Sequence, residues 1–143
     1  MKIFTIGFTK KNAEQFFTKL KSSGATKLID VRLNNVSQLA GFAKKNDLKY
    51  FCQAICQIDY LHMPELAPTQ DILTDFKKEK GDWEIYEKKF IALMQERKIE
   101  HIKPDVLDGG CLLCSEDKPH HCHRNLVAQY LKLKWGNLDI IHL

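Results

Sequence analysis

The residues best suited to chemistry in this chain are concentrated in one segment, CLLCSEDKPHHCHR, which runs from Cys111 to Arg124. The segment holds three of the five cysteines and three of the six histidines of the chain. Thiols and imidazoles act at neutral pH as nucleophiles, proton carriers and metal ligands. Core packing alone does not account for such a cluster, so it predicts a functional pocket.

One chemistry for this segment is an anion site with a reactive thiol. Cys122 stands at the start of a predicted helix, whose free N–H groups and partial positive charge attract anions and lower the pKa of a thiol. Arg124 adds a planar guanidinium suited to phosphate or carboxylate. In this hypothesis Cys122 or Cys114 is the nucleophile or redox centre, and Glu116 or His123 moves protons. The ligand would be an anionic small molecule, phosphate-like or nucleotide-like.

A second chemistry is a metal site. Cys111, Cys114, Cys122 and a histidine are ligand types that zinc accepts. Cys111 and Cys114 are three residues apart in a predicted strand, however, so their side chains should point to opposite faces of a sheet. Because the ligand types fit better than their spacing, no metal ligand is assigned from the sequence, and the cofactor remains unknown.

A third interpretation is structural. Arg124 would bind Asp30 or Glu116, and the cluster would form a buried polar network that fixes the loops. The chain would then be a non-enzymatic binding or adaptor domain. The sequence does not decide between this interpretation and an enzyme.

The order of predicted elements places these residues at one edge of a sheet. Predicted strands are Lys2–Gly7, Lys27–Arg32, Asp59–Met63, Cys111–Cys114 and Leu138–Leu143. Predicted helices are Asn12–Ser22, Asp47–Gln57, a stretch from Pro68 that Gly81 breaks, Asp82–Arg97, and a last helix that begins at Cys122 or His123. Long loops are predicted over Leu33–Lys45 and Ser115–His121. Alternating strands and helices predict a small α/β domain with a mostly parallel sheet of about five strands and helices on both faces.

Ligands of parallel α/β sheets bind beyond the carboxyl ends of the strands. Asp30 is assigned there as a residue that orients groups or exchanges protons. Further ligand-binding candidates at the strand ends are Gly7, Thr9, Arg32, His62 and Glu65. Asp30 and Arg32 are two apart in a strand and face the same way, so a structural salt bridge is an equal alternative.

Bulk properties limit the class of protein. The 143 residues, of which 44% are hydrophobic and 28% charged, predict one globular domain over 1–143. A net charge of +4 gives only weak support for nucleic-acid binding. No signal peptide or membrane span is predicted, so a cytoplasmic protein with reduced cysteines and no membrane partner is expected.

Four segments together resemble a known family. They are Thr5-Ile6-Gly7-Phe8-Thr9, Ile29-Asp30-Val31-Arg32 continuing to Gly41-Phe42, His62-Met63-Pro64-Glu65-Leu66, and Leu113-Cys114-Ser115-Glu116 with Cys122-His123-Arg124. In this order they are similar to the family called domain of unknown function 488. The resemblance implies a compact α/β fold in a cytosolic protein, with the four motifs gathered at one site. It implies no activity, and a link to nucleic-acid metabolism only by weak analogy.

Overall fold

The structure is a computed structural model that describes residues 1–36, 40–78, 80–116 and 118–143. Two of the predicted loops are therefore described in part. Positions 37–39 of the loop predicted over Leu33–Lys45, and position 117 of the loop predicted over Ser115–His121, lie outside the described residues.

Five parallel strands form one sheet. They are β1 (Lys2–Gly7), β2 (Lys27–Asp30), β3 (Asp59–His62), β4 (Gly110–Cys114) and β5 (Asp139–His142). Their order is β3-β2-β4-β1-β5, and each of the four neighbouring pairs is parallel. The predicted α/β fold is confirmed, and the carboxyl ends of all five strands meet at one edge of the sheet.

In the described part of the chain, six α-helices and several short turns connect the strands. The helices are α1 (Ala13–Ser23), α2 (Lys45–Phe51), α3 (Gln70–Lys78), α4 (Trp83–Arg97), α5 (Pro104–Leu107) and α6 (His123–Trp135). The start of α1 has a capping box formed by Asn12 and Gln15, and Gly24 ends the helix in the left-handed conformation. Among the residues described, no helix is long and apolar enough to cross a bilayer.

The predicted helix Asp47–Gln57 differs from the observed element. The α-helix begins two residues earlier, at Lys45, and ends at Phe51, where a π-helical turn over Cys52–Cys56 replaces it. Both cysteines of that turn are buried, and the Sγ atom of Cys56 lies 3.7 Å from the carbonyl oxygen of Phe17 in α1. Hydrophobic periodicity does not distinguish α from π turns, since both bury one face.

Hydrophobic cores cover both faces of the sheet. Buried residues of α3, α4 and α6 pack on one face, and those of α1, α2 and the π turn pack on the other. Cys114 belongs to the first core and Cys111 to the second, so the two thiols point to opposite faces as their spacing predicts. The helices α1 and α6, which follow the neighbouring strands β1 and β4, thus leave for opposite faces. Such a divergence opens a crevice at the carboxyl ends of the strands.

Candidate functional site

A cleft of about 310 Å³ lies at this edge of the sheet. Its polar side is formed by residues at the ends of β2 and β4 and at the start of α6. They are Arg32, Cys114, Ser115, Glu116, Cys122 and His123. Its other side, here called the aromatic wall, is formed by Phe76, Trp83 and Tyr86. The cleft therefore combines ionisable groups with a flat apolar surface, as small-molecule sites commonly do.

Three potential ligand atoms meet on the polar side of the cleft. The Sγ atoms of Cys114 and Cys122 lie at disulfide-bonding distance, and with a ring nitrogen of His123 they all fall within 4.8 Å of one another. Here these three residues are called the Cys–His cluster. Cys114 is 1% exposed and Cys122 is 3% exposed, so the cleft is the side from which they can be approached. The sequence predicted this gathering of Cys114, Cys122 and His123.

Cys122 is the N-cap of α6. Its side chain makes no capping hydrogen bond, and the first turn of the helix carries no acidic residue. The first N–H groups of a 13-residue helix thus meet the cleft with the partial positive charge of the helix dipole. The prediction that α6 begins at Cys122 or His123, beside the site, is correct.

Arg124 lies behind the cluster and is fully buried. Its Nη1 donates hydrogen bonds to the backbone carbonyl oxygen of Glu116 (2.6 Å) and to the sulfurs of Cys114 (3.0 Å) and Cys122 (3.5 Å). Arg124 does not line the cleft, so it supports the cluster rather than forming its exposed surface.

His123 is held in one tautomer. Its Nε2 lies 2.7 Å from the carbonyl oxygen of Val31, and because a carbonyl only accepts, Nε2 carries the proton. The lone pair is then on Nδ1. Burial is the main reason that the pKa of His123 falls to about 4, and nearby Arg124 lowers it further against the opposing effect of the Val31 bond. The ring is therefore neutral at neutral pH.

Asp30 and Arg32 form a buried salt bridge. The Nη2 of Arg32 donates to Oδ2 of Asp30 at 2.7 Å, and the Nε of Arg32 donates to Oδ1 at 2.8 Å. Tyr60 donates its hydroxyl to Asp30, and this bond together with burial raises the pKa of Tyr60. Asp30 is fully buried and does not line the cleft. It positions Arg32, and a ligand in the cleft would not reach it for the proton exchange predicted from the sequence.

Arg32 itself lines the cleft while only 5% exposed. Its Nη1 has no hydrogen-bond partner among the described residues. The Nη2 of Arg32 is occupied, since it also donates to the carbonyl oxygen of Ala43 at 2.8 Å. An unsatisfied buried guanidinium nitrogen is unusual, since buried polar groups normally find partners.

Other residues assigned from the sequence lie outside the cleft. Gly7 is a packing residue: a Cβ at this position would collide with the backbone carbonyl of Glu116 and lie 3.1 Å from Nη1 of Arg124. Thr9 donates from its hydroxyl to the carbonyl oxygen of Ser115. His62 uses its Nε2 to bond the carbonyl oxygen of Arg32 at 2.7 Å. These three residues position the loops of the site.

Glu65 also lies apart from the cleft. Its side chain is exposed, and its backbone carbonyl accepts a hydrogen bond of 2.8 Å from Arg97. Glu65 is the middle residue of a short 3-10 turn, Pro64–Leu66, that follows β3. The structure therefore gives it no contact with the Cys–His cluster.

Sequence patterns do not identify the aromatic wall as part of the site. The helical spacing of Trp83 and Tyr86 predicts a core stripe, and Tyr86 is indeed buried. Trp83 is only partly buried, and it stacks on His121 with ring centroids 4.9 Å apart and an angle of 21°. His121, the partner of Trp83, lies next to Cys122 in the sequence and therefore marks the site. Periodicity alone, however, does not show which end of α4 reaches the cleft.

The remaining cysteines have another character. Cys52, Cys56 and Cys111 are buried free thiols. Burial raises the pKa of Cys52 to about 12, and it also raises the pKa values of Cys56 and Cys111. They therefore stay protonated at neutral pH and act as small hydrophobic residues.

Comparisons with known proteins give one family and no closer relative. The family model described as Domain of unknown function DUF488 matches residues 12–131. Three of the four motifs quoted above lie inside the match, while Thr5–Thr9 precedes it. No curated protein and no solved structure matched the chain.

Proposed function

Because the chain belongs to the family of Domain of unknown function DUF488, whose name gives no activity, we propose its function from the cleft: it is an enzyme that binds a small anionic ligand of phosphate or nucleotide type. The observation that carries the proposal is the guanidinium of Arg32, which lines the cleft and whose buried Nη1 has no hydrogen-bond partner among the described residues. A phosphate or carboxylate oxygen would satisfy it.

The local charges support an anion. Arg32, Arg124 and the start of α6 place positive charge around the cleft, and no acidic residue lies in the first turn of that helix. Asp30 accepts hydrogen bonds from Nε and Nη2 of Arg32 but not from Nη1, which has no hydrogen-bond partner among the described residues. Glu116 is exposed at the cleft and is the group best placed to exchange protons with solvent.

The aromatic wall supports a ligand with a planar group. Trp83, Tyr86 and Phe76 make close ring contacts with one another, and Trp83 stacks on His121. A nucleobase could stack against this surface while its phosphate reaches Arg32. The Cys–His cluster between them would supply the chemistry.

A non-enzymatic adaptor is the second candidate, and the full burial of Arg124 favours it. In that case the Cys–His cluster would be a structural polar core and the cleft would have no ligand. Nucleic-acid binding, a third possibility, would show as an affinity that falls steeply with added salt.

The test is calorimetric binding of inorganic phosphate, pyrophosphate and adenosine monophosphate, with neutral adenosine as the comparison ligand. We expect adenosine monophosphate to bind most tightly. Arg32→Lys should weaken it by about tenfold or more, because a charge-assisted hydrogen bond is worth roughly 1.5–3 kcal/mol.

The matched control is Arg97→Lys. Arg97 also donates to backbone carbonyls, those of Pro64, Glu65 and Ala67, but it does not line the cleft. Its substitution should leave binding unchanged. If no anion binds, or if both lysine variants bind as wild type does, the proposal is wrong.

A further inference from the structure

The Cys–His cluster has a donor set that suits a metal ion. Two cysteine sulfurs and one imidazole nitrogen, from Cys114, Cys122 and His123, lie within 4.8 Å of one another. Zinc in proteins is bound by sulfur and nitrogen ligands of these types. Cys111, which a Cys-x-x-Cys pattern would include, is on the opposite face of the sheet and takes no part.

The backbone spacing of the two cysteines distinguishes a shared ion from a disulfide. The Cα atoms of Cys114 and Cys122 are 7.6 Å apart. Disulfides usually span Cα distances of roughly 4.4–6.8 Å, and above about 7 Å a bridge needs backbone movement. A bound zinc ion holds each sulfur at about 2.3 Å, so the sulfurs would separate to admit it. The wide Cα spacing leaves room for that separation.

The orientation of His123 also fits a ligand. Metal-bound histidines usually donate their second ring N–H to a carboxylate or a backbone carbonyl, which fixes the tautomer and the ring plane. His123 makes this bond from Nε2 to the carbonyl oxygen of Val31 at 2.7 Å. Its Nδ1 thus keeps the lone pair that a metal ion requires.

Arg124 completes the surroundings of the site. It donates to both sulfurs and to the carbonyl oxygen of Glu116, which holds the loop after β4 against the start of α6. Hydrogen bonds to ligand atoms orient them and tune their basicity. Two thiolates balance the charge of a divalent ion, and the hydrogen bonds from Arg124 withdraw part of the electron density of the sulfurs.

We infer that Cys114, Cys122 and His123 bind one zinc-type ion whose fourth coordination position opens into the cleft. All three residues line the cleft, so the unfilled side of the cluster faces the space where a ligand would lie. Three protein ligands with one open position characterise catalytic rather than structural zinc sites. The open position would take water or an oxygen of the anionic ligand, and only this last point rests on the proposed function.

The test begins with metal content. The full-length chain, purified under reducing conditions without chelator or affinity tag, should contain about one zinc per chain by elemental analysis. After exchange to cobalt, its spectrum should show thiolate-to-cobalt charge transfer in the near ultraviolet and the intense visible bands of a tetrahedral ion. Wild-type protein without metal, with Cys114 and Cys122 joined as a disulfide by mass spectrometry, would overturn the inference.

Variants assign the ligands. Cys122→Ser should weaken the cobalt charge-transfer band by about half, and His123→Gln should keep the band but lower zinc affinity by about tenfold or more. His120→Gln is the matched control, since His120 is exposed and near the cluster in sequence but outside the cleft. If a variant fails to fold, the cobalt spectrum of the wild-type protein still reports sulfur ligation directly.

Failure of this inference is distinguishable from failure of the proposed function. Phosphate binding that persists in metal-free protein and depends on Arg32 would keep the anion cleft and remove the ion. Stoichiometric zinc in a protein that binds no anion would keep the ion and remove the proposed ligand.

Discussion

Arg124 and Arg32 are both almost inaccessible to solvent, yet they have different neighbours. Arg124 bonds the two sulfurs and the carbonyl oxygen of Glu116, behind the cleft. Arg32 pairs with Asp30, lines the cleft, and has one buried nitrogen without a hydrogen-bond partner among the described residues. Arg124 therefore holds the site together, and Arg32 is the residue proposed to meet the ligand.

Substitutions of Arg124 and Glu116 should differ strongly in their effect on stability. Arg124→Ala leaves buried acceptors unpaired and should lower the free energy of unfolding by about 3–5 kcal/mol. Glu116→Ala removes an exposed side chain and should change it by less than about 0.5 kcal/mol. Thermal or urea unfolding measures both. A large loss on Glu116→Ala would favour the structural-core interpretation of the whole cluster.

Gly7→Ala should disturb the site without changing any polar group. The added Cβ would collide with the carbonyl of Glu116, which Arg124 bonds, so the loop after β4 must shift. We expect a loss of about 1–3 kcal/mol in unfolding free energy and weaker metal binding. Gly41→Ala is the control, because a Cβ there meets nothing within 4 Å. Equal effects of the two substitutions would contradict the packing role of Gly7.

At the scale of elements, sequence patterns predict the features that depend on neighbouring residues in the chain. The five apolar strands, the capping box of α1 and the start of α6 follow from periodicity, capping and glycine, and all are observed. Parallel pairing then places Asp30 and Cys114 at one edge of the sheet, and the helix after β4 begins with Cys122 as its N-cap. The gathering of the Cys–His cluster was therefore predictable.

The parts that were not predictable depend on tertiary packing. Tyr60 and Asn35 join the Asp30 network only because β2 and β3 are neighbours, and the chain gives no signal of this. Likewise Arg124 was expected to bind the anion, but the helix turns it behind the sulfurs. Which side of an element faces a cleft is decided by its neighbours, and a single strand or helix does not encode it.

The aromatic wall belongs to α4 and gives a prediction at this scale. Trp83→Ala removes the stacking surface against His121 and Tyr86. Affinity for adenosine monophosphate should fall by about fivefold or more, since stacking of a base is worth roughly 1–3 kcal/mol, while affinity for phosphate should stay unchanged. Calorimetry provides both values.

Trp135→Ala is the control for that substitution. Trp135 is at the far end of α6, where its ring N–H donates to the carbonyl oxygen of Glu100. It should leave both affinities unaltered. If Trp83→Ala weakens phosphate as much as the nucleotide, the wall supports the fold of the cleft rather than a planar group.

For the whole molecule, the five cysteines divide into two groups. Cys114 and Cys122 line the cleft, while Cys52, Cys56 and Cys111 are buried thiols with raised pKa values. With a pKa of about 12, Cys52 has a thiolate fraction on the order of one in ten thousand at pH 8.

Alkylation of the native protein with iodoacetamide should follow this division. After removal of metal by a chelator, Cys114 and Cys122 should react well before the other three, and zinc should protect them again. Peptide mapping by mass spectrometry identifies the sites. Early labelling of Cys52 or Cys111 would show that the native packing differs from the one described.

Zinc X-ray absorption with and without phosphate shows whether the Cys–His cluster and the cleft work as one site, as proposed above. We predict two sulfur ligands at about 2.3 Å and two lighter ligands at about 2.0–2.1 Å, one of which changes when phosphate is added. A zinc ion with four protein ligands that phosphate does not alter, or a chain that takes up no zinc, would contradict the claim.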